Sequence, residues 1–343
     1  MSKKVLVTGI TGQDGSFLAR DLLNKGYEVY GAVRRGSTPK TGRLDWLNIT
    51  DDIKFVGMEL TEYANILSSL EEIKPDYIYN LAAQSFVADS FSHPHLTAEI
   101  DFMGVLNLLE AIKLIQLDCH FYQASTSEMY GDVLADPQDE KTPFNPMSPY
   151  AVAKCAAHHL VKNYRVAYDF KASSGILFNH ESELRGREFV TRKITSMLAK
   201  IKLGSKKPVR LGNLSSVRDW GYAPDYVEGM QLICEAQDKN DYVIATNKIV
   251  TVRDFFSLAA KYLDFEPVFS GEGHNEKCID GKTGQELCVV DPAYFRPSDV
   301  NYLRGSYDKI NKDLGWAPKT SVEDMARKMV ESDLDIISKK INL

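Results

Sequence analysis

The stretch Gly9-Ile10-Thr11-Gly12-Gln13-Asp14-Gly15 decides the fold, because its three glycines directly follow the short apolar run Val5-Leu6-Val7. The run predicts a buried strand, and residues 17–23 predict an amphipathic helix. Glycines between a strand and a helix permit unusual backbone angles and let the main chain approach a pyrophosphate on the helix N-terminus. The spacing is G-x-x-G-x-x-G rather than G-x-G-x-x-G, so an ordinary tight turn is the alternative. The flanking strand and helix favour a dinucleotide-binding turn.

Short apolar runs continue to alternate with helix patterns as far as about residue 130. They predict strands at 28–33, 53–56, 77–81 and 120–124, and helices at 65–73 and 106–114. This alternation is typical of a parallel sheet with helices on both faces. We therefore predict an α/β fold with a Rossmann-type, doubly wound parallel sheet and a smaller, mixed α/β C-terminal substrate lobe. Residues 1–175 would form the NADP-binding domain and 176–343 mainly the lobe, with some later segments returning to the sheet.

Composition excludes several classes of protein. The chain has 343 residues, 44% hydrophobic and 26% charged, and a net charge of -6, which argues against non-specific nucleic-acid binding. Its apolar runs are too short for a membrane span, and its charged start followed by a strand predicts no signal peptide. Its five scattered cysteines lack metal-ligand spacing, so we expect free thiols in a reducing cytoplasm and no metal site.

The end of the second predicted strand indicates which dinucleotide binds. An acidic residue there would accept the ribose 2′-hydroxyl of NAD, but the chain carries Arg34-Arg35, and a guanidinium pair suits the 2′-phosphate of NADP. A solvated basic loop is the alternative. Glu59 and Leu60, after the third strand, would border the adenine. The small residues of segment 80–85 would let the cofactor lie close to the main chain.

Tyr150 and Lys154 are four residues apart, which on a helix places them on one face. A nearby ammonium stabilises a phenolate and lowers the tyrosine pKa. Such a tyrosine can remove a proton from a sugar hydroxyl as hydride leaves the carbon. The pair follows a predicted strand that ends in Ser125-Thr126, which favours a catalytic role over a surface tyrosine and a solvated lysine.

Glu128 distinguishes between reactions on this scaffold. A simple dehydrogenase or epimerase needs no carboxylate beside the Tyr/Lys pair, whereas removal of a carbon-bound proton next to a new ketone needs a further base. Oxidation of a hexose at C4 makes the C5 proton acidic. Glu128 would take that proton, the C6 hydroxyl would leave as water, and the hydride would return to C6. A helix cap or a surface carboxylate is the alternative for Glu128.

These residues resemble those of the GDP-mannose 4,6-dehydratases, a family of extended short-chain dehydrogenases/reductases, and the resemblance runs nearly from end to end. Ser127 before Glu128 matches the GDP-mannose branch, since related dTDP-glucose dehydratases carry an Asp-Glu pair there. Its main motifs are Gly-Ile-Thr-Gly-Gln-Asp-Gly at 9–15, Arg34-Arg35 with Thr41-Gly42-Arg43, Tyr-Gln-Ala-Ser-Thr-Ser-Glu at 122–128, Gly-Ile-Leu-Phe-Asn-His-Glu-Ser at 175–182, Phe-Val-Thr-Arg-Lys at 189–193, Leu-Gly-Asn at 211–213, Arg-Asp-Trp-Gly at 218–221 and Tyr-Phe-Arg-Pro at 294–297.

The resemblance implies a lyase that binds NADP, recycles it, and forms dimers or homotetramers in which the Arg34–Arg43 loop reaches a neighbour's cofactor. The catalytic residues would be Thr126, Glu128, Tyr150 and Lys154. Cofactor contacts would come from Gly9, Thr11, Gly12, Gln13, Asp14, Gly15, Arg34, Arg35, Glu59, Leu60, Leu81, Ala83, Tyr150 and Lys154. The GDP-sugar would contact Ser85, Thr126, Ser127, Glu128, Asn179, Val190, Lys193, Leu211, Gly212, Arg218, Arg296 and Asp299.

Some positions depart from the family pattern. Glu59 stands where relatives have an aspartate, segment 183–188 is altered, and Asp299 replaces a glutamate. Because the last two changes fall in the substrate lobe, the same chemistry on GDP-D-glycero-D-manno-heptose is an alternative. Two further alternatives are a nucleotide-sugar epimerase or reductase and a non-catalytic protein that senses NADP. The presence of both Tyr150 and Lys154 disfavours the non-catalytic protein.

Overall fold

The computed structural model describes residues 2–34, 40–295 and 302–339. Its strands are β1 (Lys4–Thr8), β2 (Glu28–Val33), β3 (Lys54–Gly57), β4 (Tyr77–Asn80), β5 (His120–Thr126), β6 (Ala172–Leu177), β7 (Asn179–Glu181), β8 (Val209–Leu211), β9 (Val217–Arg218), β10 (Trp220–Tyr222), β11 (Asp241–Ile244), β12 (Val250–Thr251), β13 (Pro267–Ser270), β14 (Lys277–Asp280) and β15 (Glu286–Val290). Its helices are α1 (Gln13–Asn24), α2 (Gly42–Trp46), α3 (Tyr63–Ile73), α4 (Val87–Ser92), α5 (Pro94–Ala98), α6 (Gly104–Leu114), α7 (Pro149–Tyr168), α8 (Val190–Lys202), α9 (Ala223–Glu235), α10 (Val252–Tyr262), α11 (Asp308–Leu314) and α12 (Val322–Ser338).

A seven-stranded parallel sheet forms the main body, in the order β11-β6-β5-β4-β1-β2-β3. The order reverses between β1 and β4, and a crevice opens there at the carboxyl ends of the strands. β4 and β6 are buried along their whole length, as expected for central strands covered on both faces. The predicted doubly wound α/β fold is confirmed.

Helices cover both faces of the sheet. On one face α1 and α9 bury Phe17, Leu22 and Met230 in a common core. On the other face, α3, α6 and α7 form a second core that includes Leu70 and Leu109. Both layers follow from the apolar stripe that each amphipathic helix must bury.

Two strands of the main sheet, β6 and β11, were not predicted from the sequence. β6 reads Ala-Ser-Ser-Gly-Ile-Leu, and β11 arrives only after α9. Gly175, in β6, packs against Tyr122. A Cβ at this position would stand 2.2 Å from the hydroxyl oxygen of Tyr122, so a larger residue does not fit. Small and polar residues give a weak strand pattern, so tertiary packing decides this segment.

A smaller lobe packs α8, α10 and α12 around its own core, which includes Leu198, Phe255 and Met329. It also contains a four-stranded sheet in the order β13-β14-β15-β8, in which β15 and β8 are parallel and the other pairs antiparallel. Two further pairs of short strands form, β7 with β10 in parallel and β9 with β12 antiparallel. The division at residues 175 and 176 stays a prediction. Within the described ranges, no helix has the length and apolar character to cross a membrane.

Candidate active site

The glycine turn at the end of β1 is tight. The amide of Gly12 donates to the carbonyl of Gly9 across 2.9 Å, and Gly9 has a φ of +71°. A Cβ on Gly15 would stand 2.3 Å from the Gly9 carbonyl oxygen, so only glycine fits. α1 starts directly after Gly12, which makes no side-chain cap, and the first amides of a helix have no partner within it. Close main-chain approach and a helix N-terminus together fit a diphosphate.

A cavity opens over this turn, which we name the glycine-loop cavity. It is lined by the turn, the carboxyl ends of β4 and β5, the first helical turn of α7 and the segment that follows β6. Fourteen predicted site residues line it: Gly9, Gly12, Gln13, Asp14, Gly15, Leu81, Ala83, Ser85, Thr126, Ser127, Glu128, Tyr150, Lys154 and Asn179.

The predicted cofactor residues that lie outside this lining are Thr11, Arg34, Glu59 and Leu60. Arg35 lies outside the described residues. The Thr11 carbonyl accepts a hydrogen bond from Arg43, and the Leu60 carbonyl accepts one from Asn107. The Glu59 amide donates to Asn65, which fixes the loop after β3. Arg34 is exposed directly after β2.

Thr126 and Glu128 lie where β5 becomes a single helical turn. The Glu128 amide donates to the Thr126 hydroxyl across 3.2 Å, so Thr126 caps this turn and fixes the main chain of Glu128. The predicted alternative that Glu128 itself caps a helix is wrong, because the capping side chain is that of Thr126. Thr126 also lowers the pKa of the Tyr150 phenol.

Tyr150 is the second residue of α7, whose start is fixed by Ser148 accepting from the amide of Ala151 and by proline at the first position. One turn later, the Lys154 ammonium donates to the Ala124 carbonyl. The predicted placement of Tyr150 and Lys154 on one helix face therefore agrees with the structure, since both line the glycine-loop cavity.

The pKa of Tyr150 differs from the sequence-based expectation. Burial raises it, the charge of Asp101 raises it further, and Thr126 only partly offsets these effects. Burial also lowers the pKa of Lys154. The predicted lowering of the Tyr150 pKa is therefore wrong for this structure, because burial and the charge of Asp101 raise it.

Asp101 is a buried carboxyl group that sequence analysis missed. It lies in a π-helical turn between α5 and α6, and its Oδ1 accepts from the Gln84 amide across 2.7 Å. Its Oδ2 is buried without a hydrogen-bond partner. Burial raises the pKa of Asp101 to about 6, against the attraction of Lys154. A π-turn inside a helix often marks a functional site, and here it brings a carboxyl group towards Lys154.

A second cavity, which we name the lobe cavity, joins the first. Its lining includes Val190, Lys193, Leu211, Gly212 and Arg218, all predicted substrate contacts. Arg296 and Asp299 lie outside the described residues. Six residues line both cavities and mark their junction: Phe86, Glu128, Asn179, Arg185, Glu188 and Phe189.

Four of these six junction residues were missed from the sequence. Arg185 lies 3.6 Å from the ring centroid of Phe189, and its Nε is 3.1 Å from Oε2 of the buried Glu181. These contacts fix a guanidinium at the junction. Three of these four residues lie in segment 183–189, and the sequence signal that could have identified them is the position of that segment, directly after the Asn-His-Glu-Ser motif at 179–182. Among the described residues, no cluster of three or more His, Cys, Asp or Glu side chains could hold a metal ion.

Comparison with known proteins gives a consistent result. A family model described as GDP-mannose 4,6 dehydratase matches residues 6–329. A GDP-mannose 4,6-dehydratase from Vibrio cholerae is 47% identical, with 98% of this chain and 95% of that protein covered. One from Yersinia enterocolitica is also 47% identical, over 97% of this chain and 94% of its own.

Solved structures share the fold. UDP-glucose 4-epimerase from Thermotoga maritima, with UDP-glucose, superposes with a TM-score of 0.82 at 24% identity, covering 99% of this chain and 100% of that chain. The Thermus thermophilus UDP-glucose 4-epimerase in complex with NAD gives a TM-score of 0.81 at 26% identity, covering 96% and 98%.

Proposed function

Because this chain belongs to the GDP-mannose 4,6-dehydratase family, we propose that it converts GDP-D-mannose to GDP-4-keto-6-deoxy-D-mannose and water. One observation carries the proposal beyond family membership. Glu128 lines both cavities, and it lies two residues after Thr126, the end of β5, which lines the glycine-loop cavity together with Tyr150. A carboxylate at the junction is the additional base that elimination requires.

The glycine-loop cavity fits a nicotinamide dinucleotide, since Gly9, Gly12 and Gly15 line it without side chains and the N-terminus of α1 lies at the same turn. When bound, such a cofactor supplies an acceptor for the hydride from C4 and returns that hydride to C6. Tyr150 takes the proton of the C4 hydroxyl, and Thr126 favours the ionised tyrosine by lowering its pKa. Lys154 places a positive charge beside them from its site on the Ala124 carbonyl.

Glu128 carries out the elimination. Its carboxylate removes the C5 proton, which is acidic once C4 is a ketone, and delivers a proton to the departing C6 hydroxyl, which leaves as water. After C6 is reduced, C5 takes a proton from solvent, and Tyr150 releases to solvent the proton that it took from the C4 hydroxyl, so both side chains return to their starting states. Because hydride leaves C4 and arrives at C6, no external reductant is consumed.

We infer that the lobe cavity holds the GDP group and that the cofactor is NADP. Lys193 and Arg218 bring cationic side chains to that cavity, while Leu211 and Gly212 form a wall of it. The Lys193 ammonium lies 3.2 Å from the ring centroid of Tyr294, which fixes its direction. For NADP the support is Arg34, directly after β2, where the ribose 2′-position of a bound dinucleotide lies in this fold.

We further propose a homo-oligomer, dimer or tetramer, in the cytoplasm. Apolar side chains are exposed along α6 and α7, with exposed fractions of 61% for Leu114, 54% for Val152 and 78% for Val166. These exposed apolar side chains, on two neighbouring helices, are the support for an interface between protein chains. The five free cysteines, four of them buried, support a reducing compartment.

The test is incubation of purified protein with GDP-mannose in deuterated water, without added cofactor, followed by NMR and mass spectrometry. We expect a 4-keto-6-deoxy product with deuterium at C5. If only GDP-D-glycero-D-manno-heptose reacts, the chemistry stands and the substrate changes. No turnover of either sugar would contradict the dehydratase proposal and favour an epimerase or reductase.

A further inference from the structure

Two walls of the glycine-loop cavity are joined directly, although they are far apart in sequence. Gln13 and Asp14 lie in the first turn of α1, and His180 and Ser182 lie in and just after β7. The Gln13 amide donates to the His180 carbonyl across 3.1 Å, and the Ser182 hydroxyl donates to the Gln13 side-chain oxygen across 2.7 Å. Nε2 of His180 lies 2.8 Å from Oδ2 of Asp14. These contacts bridge the cavity beside the diphosphate turn.

The hydrogen bonds of His180 define its protonation state. Its Nδ1 lies 2.7 Å from the carbonyl oxygen of Phe178, which can only accept. Its Nε2 faces the Asp14 carboxylate, whose pKa stays lowered because the attraction and hydrogen bond of His180 outweigh burial. Both ring nitrogens must therefore donate, so His180 is an imidazolium. His180 is 8% exposed as a residue, and its ring stacks on that of Tyr226 with 4.7 Å between the centroids.

Charged and titratable groups from four elements face this pair. Asp14 on α1 attracts the imidazolium, Arg185 in the segment after β7 repels it, and Tyr226 on α9 covers its face. Arg43 on α2 is attracted to Asp14. Burial is the largest influence and lowers the pKa of His180, but Asp14, with help from the Phe178 carbonyl, raises it overall.

We propose that His180 and Asp14 are positioning residues that act as an ionic latch, holding the glycine-loop cavity closed so that the nicotinamide cofactor stays bound between turnovers. The latch rests on the proposed function, because only a cofactor that ends each cycle in its starting redox state can be retained. Loss of the His180 proton would set a ring lone pair against the Asp14 carboxylate. It would also leave that partly buried carboxylate without its counter-ion, which favours opening.

The sign of the pH effect follows. The folded-state pKa of His180 lies above its ordinary value, so the latch is present at low pH and is lost as pH rises through the folded-state pKa. A second tie does not titrate in this range. Arg43 donates to the Thr11 carbonyl at 3.1 Å and to the Leu184 carbonyl at 2.6 Å, again bridging the two walls. Retention should therefore weaken at high pH without vanishing.

The experiment measures cofactor dissociation rather than activity. Purified protein is loaded with NADPH, freed of excess by gel filtration, and mixed with a large excess of NADP, and the loss of protein-bound NADPH fluorescence is followed from pH 6 to pH 9. We expect the dissociation rate of the unaltered protein to rise about tenfold across this range, as loss of one charged hydrogen bond implies.

Variants separate the latch from a merely structural role. His180→Gln keeps one neutral donor and should dissociate at an intermediate rate that does not change with pH, and Asp14→Asn should dissociate fast at pH 6. Ser182→Ala is the matched control, because it removes a neutral hydrogen bond from the same bridge and should keep the pH response. Circular dichroism verifies folding of each variant.

Two results would overturn the inference in different ways. A dissociation rate that does not change with pH in the unaltered protein, or a pH response that persists in His180→Gln, would refute the latch and leave the dehydratase proposal intact. Absence of any NADPH binding by the unaltered protein would refute the NADP assignment and the latch together.

Discussion

The Lys154 ammonium donates a hydrogen bond to the Ala124 carbonyl, 2.6 Å away. This bond ties α7 to β5 at the level where the strand ends in Thr126, so the tyrosine on the preceding helical turn is held against that strand end. Lys154 is buried and its pKa is lowered by that burial, yet it keeps this acceptor. It thus has both an anchoring and an electrostatic role.

Replacing Lys154 by Met should remove the charge while keeping a chain of similar length. Because the base Tyr150 would then ionise in a buried site without a nearby cation, we expect kcat for GDP-mannose to fall about 10²- to 10⁴-fold. Steady-state kinetics with a circular-dichroism check of folding measures this. Activity within twofold of the unaltered protein would contradict the assigned role.

Glu128→Gln and Tyr150→Phe should fail at different steps. Without the carboxylate, oxidation at C4 still proceeds, so GDP-mannose should raise the 340 nm absorbance of bound cofactor while product formation falls about 10²- to 10⁴-fold. Tyr150→Phe should lose both signals, because it cannot take the hydroxyl proton. Equal loss of both signals in the two variants would show that Glu128 does not act after the oxidation.

The parts of the site predictable from sequence are those that depend on local geometry. The glycine turn follows from Gly9, Gly12 and Gly15, and the Tyr150/Lys154 face follows from helical periodicity. His180 and Arg185 were missed because their roles depend on β7 meeting α1, more than 160 residues away in sequence. The raised pKa of Tyr150 was also missed, since burial is a property of the folded chain and not of residue spacing.

Arg34 should select between the two dinucleotides. If its guanidinium contacts the 2′-phosphate, Arg34→Ala should weaken NADPH binding about tenfold, as expected for loss of a charged hydrogen bond, and leave NADH binding within about twofold. Fluorescence titration gives both dissociation constants. An equal loss for both cofactors would indicate that Arg34 supports the fold of the loop instead of recognising the phosphate.

Asp101 should make the unfolding free energy depend on pH. Its folded-state pKa of about 6 lies above the ordinary value of 3.8, so the native state binds its proton more tightly than the unfolded state does. Stability from this group is therefore full below about pH 3.8 and is lost as pH rises towards 6. A shift of about two units corresponds to about 3 kcal/mol.

Asp101→Asn keeps the acceptor for the Gln84 amide but cannot ionise. It should therefore raise the unfolding free energy at pH 8 by up to about 3 kcal/mol and have little effect near pH 4. Urea unfolding at both pH values measures the difference, and Asp139→Asn is the matched control, because the Asp139 side chain likewise accepts hydrogen bonds from main-chain amides, those of Lys141 and Thr142. Destabilisation at pH 8 would mean that the attraction of Lys154 stabilises the ionised Asp101 carboxylate by more than its burial costs. The buried Oδ2 would then serve the ammonium as its counter-ion.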